Sequence, residues 1–237
     1  MATPAAHAPT APAAAPGTLA EGSAGDAAAA RSRAPGVGDL VGHFVLKARL
    51  GEGGMGVVYA AEDADLGRRV AVKLVRDESP GLRARLLREA QAMARVSHPN
   101  IVRVHEIGGV GDGLFIAMEL IEGETLTAWL RRGHGWRAIE AMFAAVGAGL
   151  AAVHGAGLVH RDFKPDNVLV DRSGVPRVAD FGPARVDATT ASGSPLAAPL
   201  TRTGAVIGTP GYMAPEQHVG SEVDARADQY SYCVALR

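Results

Sequence analysis

Residues 49–63 read RLGEGGMGVVYAAED and space three glycines as G-x-G-x-x-G, at Gly51, Gly53 and Gly56. Because glycine has no Cβ, the backbone N–H groups of such a loop can approach an anionic group closely. At least two classes of nucleotide-binding fold use this spacing. The pattern therefore predicts a phosphate-binding loop, and the residues that follow it have to distinguish between the classes.

The residues after the loop argue against a dinucleotide-binding domain, in which the glycines open a helix. Here Gly56 is followed by Val57, Val58 and Tyr59, which favour a strand. We therefore predict that HFVLKARL and GVVYAAED form a hairpin around the loop, and that RRVAVKLV, residues 68–75, forms a third strand. A dinucleotide oxidoreductase stays as an alternative, and it predicts binding of NAD.

Further motifs follow the loop in a fixed order. They are VAVK ending at Lys73, HRDFKPDN at residues 160–167, DFG at residues 180–182 and APE at residues 214–216. This set is the signature of protein kinases. From Phe44 to Arg237 the chain resembles the bacterial eukaryotic-like (Hanks-type) serine/threonine protein kinases.

The resemblance implies an α+β, bilobal kinase fold. It places a small antiparallel-sheet N-lobe with one helix at residues 39–121 and a mainly helical C-lobe at residues 122–237. The order of the patterns, strands first and helices later, agrees with two such parts. Residues 1–38 are rich in Ala and Pro and carry almost no large apolar side chain, so we expect a disordered tail. Because a complete C-lobe continues beyond its central helix, we expect this lobe to be truncated at Arg237, as a fragment, a frameshift or a natural truncation.

The resemblance also assigns catalytic roles. Asp162 matches the base that accepts the proton of the substrate hydroxyl, and Lys164 matches the cation that neutralises the transferring phosphoryl group. Lys73 matches the lysine that contacts the α- and β-phosphates. The helical stretch after the third strand supplies Glu89, nine residues before His98, as the expected ion-pair partner of Lys73.

The implied cofactors are ATP and Mg²⁺. Asn167 and Asp180 match the Mg²⁺ ligands, and both supply hard oxygen donors that suit this ion. By position in the family, the adenine site consists of the gatekeeper Met118, the backbone groups of Glu119 and Ile121, and the side chains of Val58, Ala71 and Leu169. These apolar side chains are equally compatible with a role in the core.

The substrate class follows from the same resemblance. Lys164 stands two residues after Asp162, and GTPGYMAPE at residues 208–216 has the serine/threonine form. We therefore expect the partner to be a protein that carries a substrate serine or threonine. The loop before this segment resembles one that related kinases autophosphorylate, and Thr201 or Thr203 is the candidate site.

Composition limits the other partners and the location. The formal net charge is −1 and the isoelectric point is about 6.7, so no basic field indicates nucleic acid. Cys233 is the only cysteine, which predicts a reducing, cytoplasmic location. The longest apolar run, AMFAAVGAGLAAV at residues 141–153, is shorter than the roughly 20 residues of a membrane span, so we predict a buried helix and no membrane segment.

One alternative function stays open at this point. The chain could be a catalytically impaired nucleotide-binding or scaffold fragment of such a kinase. The intact motif residues favour catalysis, whereas the expected truncation favours inactivity. Binding of Mg-ATP without phosphoryl transfer would support the scaffold alternative.

Overall fold

A computed structural model describes residues 34–53, 56–75, 80–111, 113–180, 210–219 and 223–237. The chain from Pro35 to Arg237 forms one compact unit. The candidate phosphorylation sites Thr201 and Thr203 lie outside the described residues, as does nearly all of the expected tail. The domain boundaries at residues 38 and 121 therefore remain predictions.

Six antiparallel strands form the first sheet. They are β1 (Leu40–Val41), β2 (Phe44–Gly53), β3 (Gly56–Asp63), β4 (Arg68–Val75), β5 (Val104–Val110) and β6 (Gly113–Glu119), in the order β1-β2-β3-β4-β6-β5. Gly53 pairs with Gly56, so the glycine-rich stretch is the end of the β2–β3 hairpin. The predicted strand after Gly56 is thus confirmed, and the helix that a dinucleotide-binding domain requires there is not formed.

Alternation along these strands separates two faces of the sheet. On one face the side chains of Tyr59, Val72 and Phe115 belong to a buried apolar cluster. The intervening residues lie on the opposite face, which we call the cleft face. Register places them side by side across three strands, with pairs Val58–Lys73, Lys73–Ile116 and Ala71–Met118.

A single helix, α1 (Pro80–Met93), packs on the cleft face. Its Leu87 contacts the small apolar cluster of Val75 and Leu114, which stand on β4 and β6. Ala90 and Met93 are buried as well. This spacing of apolar residues is that of one helical face, so the sequence pattern positions α1 beside Lys73.

The second part of the chain is mainly helical. It contains β7 (Gly123–Thr125), α2 (Leu126–Arg131), α3 (Trp136–Gly155), β8 (Val168–Asp171), β9 (Pro176–Val178), α4 (Pro215–His218) and α5 (Ala225–Leu236). β7, β8 and β9 form a second, three-stranded antiparallel sheet. An antiparallel sheet with one helix, followed by this helical part, confirms the predicted α+β bilobal fold.

Helix α3 is the centre of the second core. Its Phe143, Val146 and Val153 are almost fully buried and pack with Phe163 and Val168 of the following segments. By length and composition alone, α3 is also the one helix in the described ranges that could cross a membrane. Its buried side chains agree with the predicted core helix.

Candidate active site

The β8–β9 hairpin brings the two expected metal ligands together. Asn167 directly precedes β8, and Asp180 comes two residues after the end of β9. Because the strands are antiparallel and pair Val168 with Val178, the start of β8 and the end of β9 meet at one edge. The N–H of Ala179 donates to the carbonyl oxygen of Asn167 at 2.8 Å, which closes this edge.

The turn at the other end of the hairpin is fixed by Asp171. Its Oδ1 accepts from the hydroxyl of Ser173 at 2.6 Å and from the backbone N–H of Val175 at 3.0 Å, and its Oδ2 accepts from Arg177 at 2.5 Å. The hydrogen bond from the Ser173 hydroxyl, followed by the Arg177 and backbone donors, holds the pKa of Asp171 well below its usual value. The charged carboxylate of Asp171 therefore helps to fix the strand register that places Asn167 beside Asp180.

The candidate base Asp162 follows a histidine whose ring holds the loop. His160 is completely buried, and its Nε2 contacts the carbonyl oxygen of Ala179 at 2.9 Å. Since a carbonyl can only accept, Nε2 carries the proton, and Nδ1 is free to accept from the backbone N–H of Asp162 at 3.3 Å. His160 thus connects the loop of the base to the segment that carries Asp180.

Asp228 on α5 also holds the loop that carries Asp162, through hydrogen bonds to the loop backbone. Its two carboxylate oxygens accept from the backbone N–H groups of His160 and Arg161, each at 2.7 Å, and one also contacts His154 Nε2 at 2.8 Å. Arg161 has φ 66°, a left-handed conformation that is rare for a residue with a Cβ. Such strain persists only where the surroundings fix the backbone, and it clusters at functional sites.

Three of the predicted site residues lie together in this loop. The Oδ2 of Asp162 is 3.5 Å from Lys164 Nζ and 3.2 Å from Asn167 Nδ2. Asn167 Nδ2 also donates to the carbonyl oxygen of Asp162 at 2.7 Å. Because the amide NH₂ group of Asn167 is engaged in this way, its Oδ1 is the atom that can serve as a cation ligand.

Lys73 joins the first sheet to this site. Its Nζ lies 2.8 Å from Asp180 Oδ1, and its side chain is only 10% exposed. Among the described residues, the ion pair of Lys73 is with Asp180 and not with Glu89. Both Lys73 and Glu89 nevertheless line one cavity, so the predicted Lys73–Glu89 pair stays a prediction for another state of the site.

That cavity measures about 320 Å³ and lies between α1 and the cleft face. Apolar side chains of the sheet and of α1 form most of its wall, and charged groups come from Lys73, Glu89, Arg161 and Asp180. Met118 lines it, in agreement with a gatekeeper position. The other residues predicted to surround adenine are not among its lining residues: Val58, Ala71, Glu119, Ile121 and Leu169.

These adenine candidates occupy the strands around the link between the two parts. Ala71 pairs directly with Met118, and Val58 pairs with Lys73. Glu119 donates its backbone N–H to the carbonyl oxygen of Arg103 at 2.9 Å, so this N–H is engaged within the protein. Leu169 on β8 and Ile121, just after β6, are half-buried.

The three loop glycines differ in what the fold requires of them. Gly56 has φ 142°, and a Cβ there would come 1.9 Å from the carbonyl oxygen of Leu74, so packing alone demands glycine. At Gly51 and Gly53 a Cβ would meet no atom of the described residues within 4 Å, and neither has a left-handed φ. Among these residues, neither packing nor conformation therefore requires glycine, and the open space leaves room for the close approach of a phosphate.

Sequence reasoning missed one residue of this neighbourhood, Gln217 on α4. Its Nε2 donates to the carbonyl oxygen of Arg161 at 2.7 Å, and its Oε1 accepts from the N–H of Ala214 at 3.0 Å. The only signal in the sequence is a long polar residue directly after APE. Its hydrogen bond spans 56 positions in the chain, a distance at which sequence spacing gives no information.

Lys73 of the first lobe pairs with Asp180, and the carboxylate of Asp162 lies beside Asn167 in the second lobe. This arrangement suits the transfer of a phosphoryl group between a nucleotide and a hydroxyl. The fold and the site thus define the class of the protein as a nucleotide-dependent phosphotransferase. The model of the protein kinase domain matches residues 44–237, and the chain therefore belongs to the protein kinase family.

The relatives of known name that match this chain include bacterial serine/threonine kinases. The chain is 40% identical over 203 residues to serine/threonine-protein kinase pkn2 of Myxococcus xanthus, an alignment that covers 82% of this chain and 24% of that protein. It is 42% identical over 203 residues to the DNA damage-responsive serine/threonine-protein kinase RqkA of Deinococcus radiodurans, covering 83% of this chain and 29% of that protein. The chain thus spans less than a third of the length of these two relatives.

A solved structure agrees with the fold. The kinase domain of Mycobacterium tuberculosis PknI superposes with a TM-score of 0.67 at 29% identity, and the match covers 86% of this chain and 74% of that domain. The fold class and the family expected from the motifs are therefore confirmed.

Proposed function

We propose that this chain is a serine/threonine kinase domain that transfers the γ-phosphoryl group of Mg-ATP to a serine or threonine hydroxyl of a protein. One observation supports this most strongly. Asp162, Lys164 and Asn167 converge in one loop, and Lys73 reaches the adjoining Asp180 from the other lobe at 2.8 Å. These residue types, close together, support the assignment of phosphoryl transfer to this site.

Asp162 would accept the proton of the attacking hydroxyl. Its carboxylate is half-buried, and the contacts to Lys164 and Asn167 hold it in one orientation. A base held within reach of one hydroxyl gains mainly from positioning. Lys164, 3.5 Å from the carboxylate, would offset the negative charge that develops on the transferred group.

Lys73 and the hairpin of Gly51 and Gly53 would hold the nucleotide phosphates. Backbone N–H groups at these glycines can reach a phosphate without steric conflict. Lys73 supplies a compact positive charge on the cleft face. Glu89 lines the same cavity, and we include the Lys73–Glu89 ion pair in the proposal for the nucleotide-bound protein.

Asn167 Oδ1 and the Asp180 carboxylate fit Mg²⁺, which binds to one or two protein oxygens together with phosphate oxygens. When bound, Mg²⁺ neutralises charge on the phosphates. The chain's own contribution is to fix the two oxygen donors at one edge of the β8–β9 hairpin. The hydrogen bond from Ala179 N–H to Asn167 at 2.8 Å maintains that edge.

The proposal extends to regulation and location. Thr201 or Thr203 would be autophosphorylated, and a tryptic phosphopeptide map of the purified chain after incubation with Mg-ATP tests this. Replacement of both by alanine should remove the phosphopeptide; unchanged phosphorylation would contradict it.

A cytoplasmic location, inferred from the single cysteine, is tested by fractionation of the host cells.

A two-part assay tests the function. The purified chain is incubated with radiolabelled Mg-ATP and a generic basic protein, and the labelled amino acid is identified; we expect phosphoserine or phosphothreonine. A thermal-shift measurement with Mg-ATP and with NAD is made in parallel, and we expect stabilisation by Mg-ATP only. Stabilisation without transfer would support the scaffold alternative, and stabilisation by NAD would contradict the kinase function.

A further inference from the structure

Gln217 bridges two segments that the sequence separates widely. It is 96% buried on α4, although glutamine usually lies at the surface. Its amide uses both ends, since Nε2 donates to the carbonyl oxygen of Arg161 at 2.7 Å and Oε1 accepts from Ala214 N–H at 3.0 Å. One side chain therefore connects the start of α4 with the loop of the candidate base.

The acceptor on the loop side is the peptide unit between Arg161 and Asp162. The carbonyl oxygen of this unit accepts from Gln217, and its N–H, which belongs to Asp162, donates to His160 Nδ1 at 3.3 Å. The preceding N–H, that of Arg161, is held by Asp228 at 2.7 Å. The peptide plane that carries Asp162 is thus fixed on both of its edges.

This plane needs fixing, because Arg161 has φ 66°. A residue with a Cβ leaves this conformation readily unless hydrogen bonds on both sides hold it. A rotation of the plane would change the direction in which the side chain of Asp162 leaves the backbone. Removal of the Gln217 donor is the smallest change that takes this hydrogen bond from the carbonyl edge of the plane.

We propose that Gln217 is a positioning residue that fixes the Arg161–Asp162 peptide and thereby aims the carboxylate of Asp162. The proposal rests on the function given above, in which Asp162 is the base. Through the same side chain the loop of the base is also connected to Ala214, whose N–H donates to Gln217 Oε1 at 3.0 Å.

A simpler role for Gln217 would be to satisfy only the N–H of Ala214 at the start of α4. Gln217→Glu separates the two roles. When ionised at pH 8, a glutamate keeps an oxygen for Ala214 but presents a second acceptor to the carbonyl of Arg161, so the bridge to the loop is lost and the cost of burying a charge is added. Gln229→Glu, at an exposed position of α5, is the matched control for the change of charge.

Hydrogen–deuterium exchange on the full chain provides the first test. We expect Gln217→Glu to raise the exchange rate of peptides that contain residues 160–163 about tenfold, with α3 unchanged and with Gln229→Glu like the wild type. Unchanged exchange at residues 160–163 would overturn the proposal. Loss of protection throughout α3 would overturn it too, because Gln217 would then serve general packing.

Steady-state kinetics provide the second test. A misdirected base should lower kcat about 10- to 100-fold and leave the KM for ATP within about twofold of the wild type. An increase in the KM for ATP with an unchanged kcat would overturn the positioning role. If the wild type transfers no phosphate, the proposed function fails, and the exchange result alone still decides whether Gln217 holds the loop.

Discussion

Asp228→Asn is the substitution for which the structure gives the clearest expected magnitude. Asp228 is fully buried on α5 and accepts two backbone hydrogen bonds of 2.7 Å, from His160 and Arg161. Asparagine has nearly the same shape, but it replaces one acceptor oxygen by an NH₂ group. One of the two backbone N–H groups would then face another donor in a buried site.

The cost can be worked out from these two bonds. A hydrogen bond to a charged group contributes about 1.5–3 kcal/mol, and a buried donor left without a partner costs about 1–3 kcal/mol. Because both changes concern the same N–H group, they overlap rather than add, and we expect a loss of about 3 kcal/mol. The stability of a domain is about 5–15 kcal/mol, so the variant should still fold.

Urea unfolding followed by circular dichroism measures this loss. With a slope of about 2 kcal/mol/M, a loss of about 3 kcal/mol lowers the midpoint by about 1.5 M. Asp224→Asn is the matched control, because Asp224 is the exposed N-cap of the same helix and asparagine caps equally well. Its midpoint should stay within about 0.5 M of that of the wild type, because the substitution loses only an exposed ion pair with Arg226.

The reasoning would be refuted if Asp228→Asn unfolded within about 0.5 M of the wild type with an unchanged slope. The two backbone hydrogen bonds would then contribute little, and the strained φ of Arg161 would need another explanation. A midpoint that falls equally in both variants would show a general effect of charge on α5.

Three further predictions address the glycine loop, the hairpin turn and the lysine. Gly56→Ala should destabilise the fold by about 2 kcal/mol or more in urea unfolding, because its Cβ would collide with the carbonyl oxygen of Leu74. Gly53→Ala should unfold like the wild type and raise the KM for ATP. Equal stability of the two variants would contradict this prediction. Asp171→Asn should lower the thermal midpoint at pH 7 by about 3 °C. The pKa of Asp171 is depressed in the folded state, so its contribution to stability is complete above the usual carboxyl pKa and is lost as the pH falls. The difference in thermal midpoint between the wild type and Asp171→Asn should therefore narrow below about pH 4. A constant difference in a pH series of thermal melts would contradict this prediction. Lys73→Met should weaken Mg-ATP binding in calorimetry by about tenfold or more, and unchanged affinity would exclude a phosphate contact.

Much of the site could be predicted because its residues stand beside secondary-structure elements that have clear sequence patterns. The valines after Gly56 predict β3, and alternation on β4 then places Lys73 on the face opposite the core. The motifs HRDFKPDN and DFG predict Asn167 and Asp180, and the structure shows both residues at one edge of a short hairpin. Local propensity and a fixed period account for the strands, whereas the roles of the residues come from the motifs.

Other features depend on contacts that no local pattern encodes. The partner of Lys73 is Asp180 rather than Glu89, a choice between two carboxylates that depends on the placement of α1 and of the segment after β9. Of the residues predicted to surround adenine, only Met118 lines the cavity. Gln217 was missed because a side chain that bonds to a distant carbonyl leaves no periodic signal.

The most direct measurement compares Asp162→Asn with Asp166→Asn in a single-turnover transfer assay. Asp166 is an exposed aspartate of the same loop and serves as the matched control. We expect Asp162→Asn to lower the transfer rate about 10²- to 10⁴-fold with unchanged affinity for Mg-ATP, and Asp166→Asn to act like the wild type. Transfer by Asp162→Asn within about threefold of the wild-type rate would contradict the assignment of Asp162 as the base.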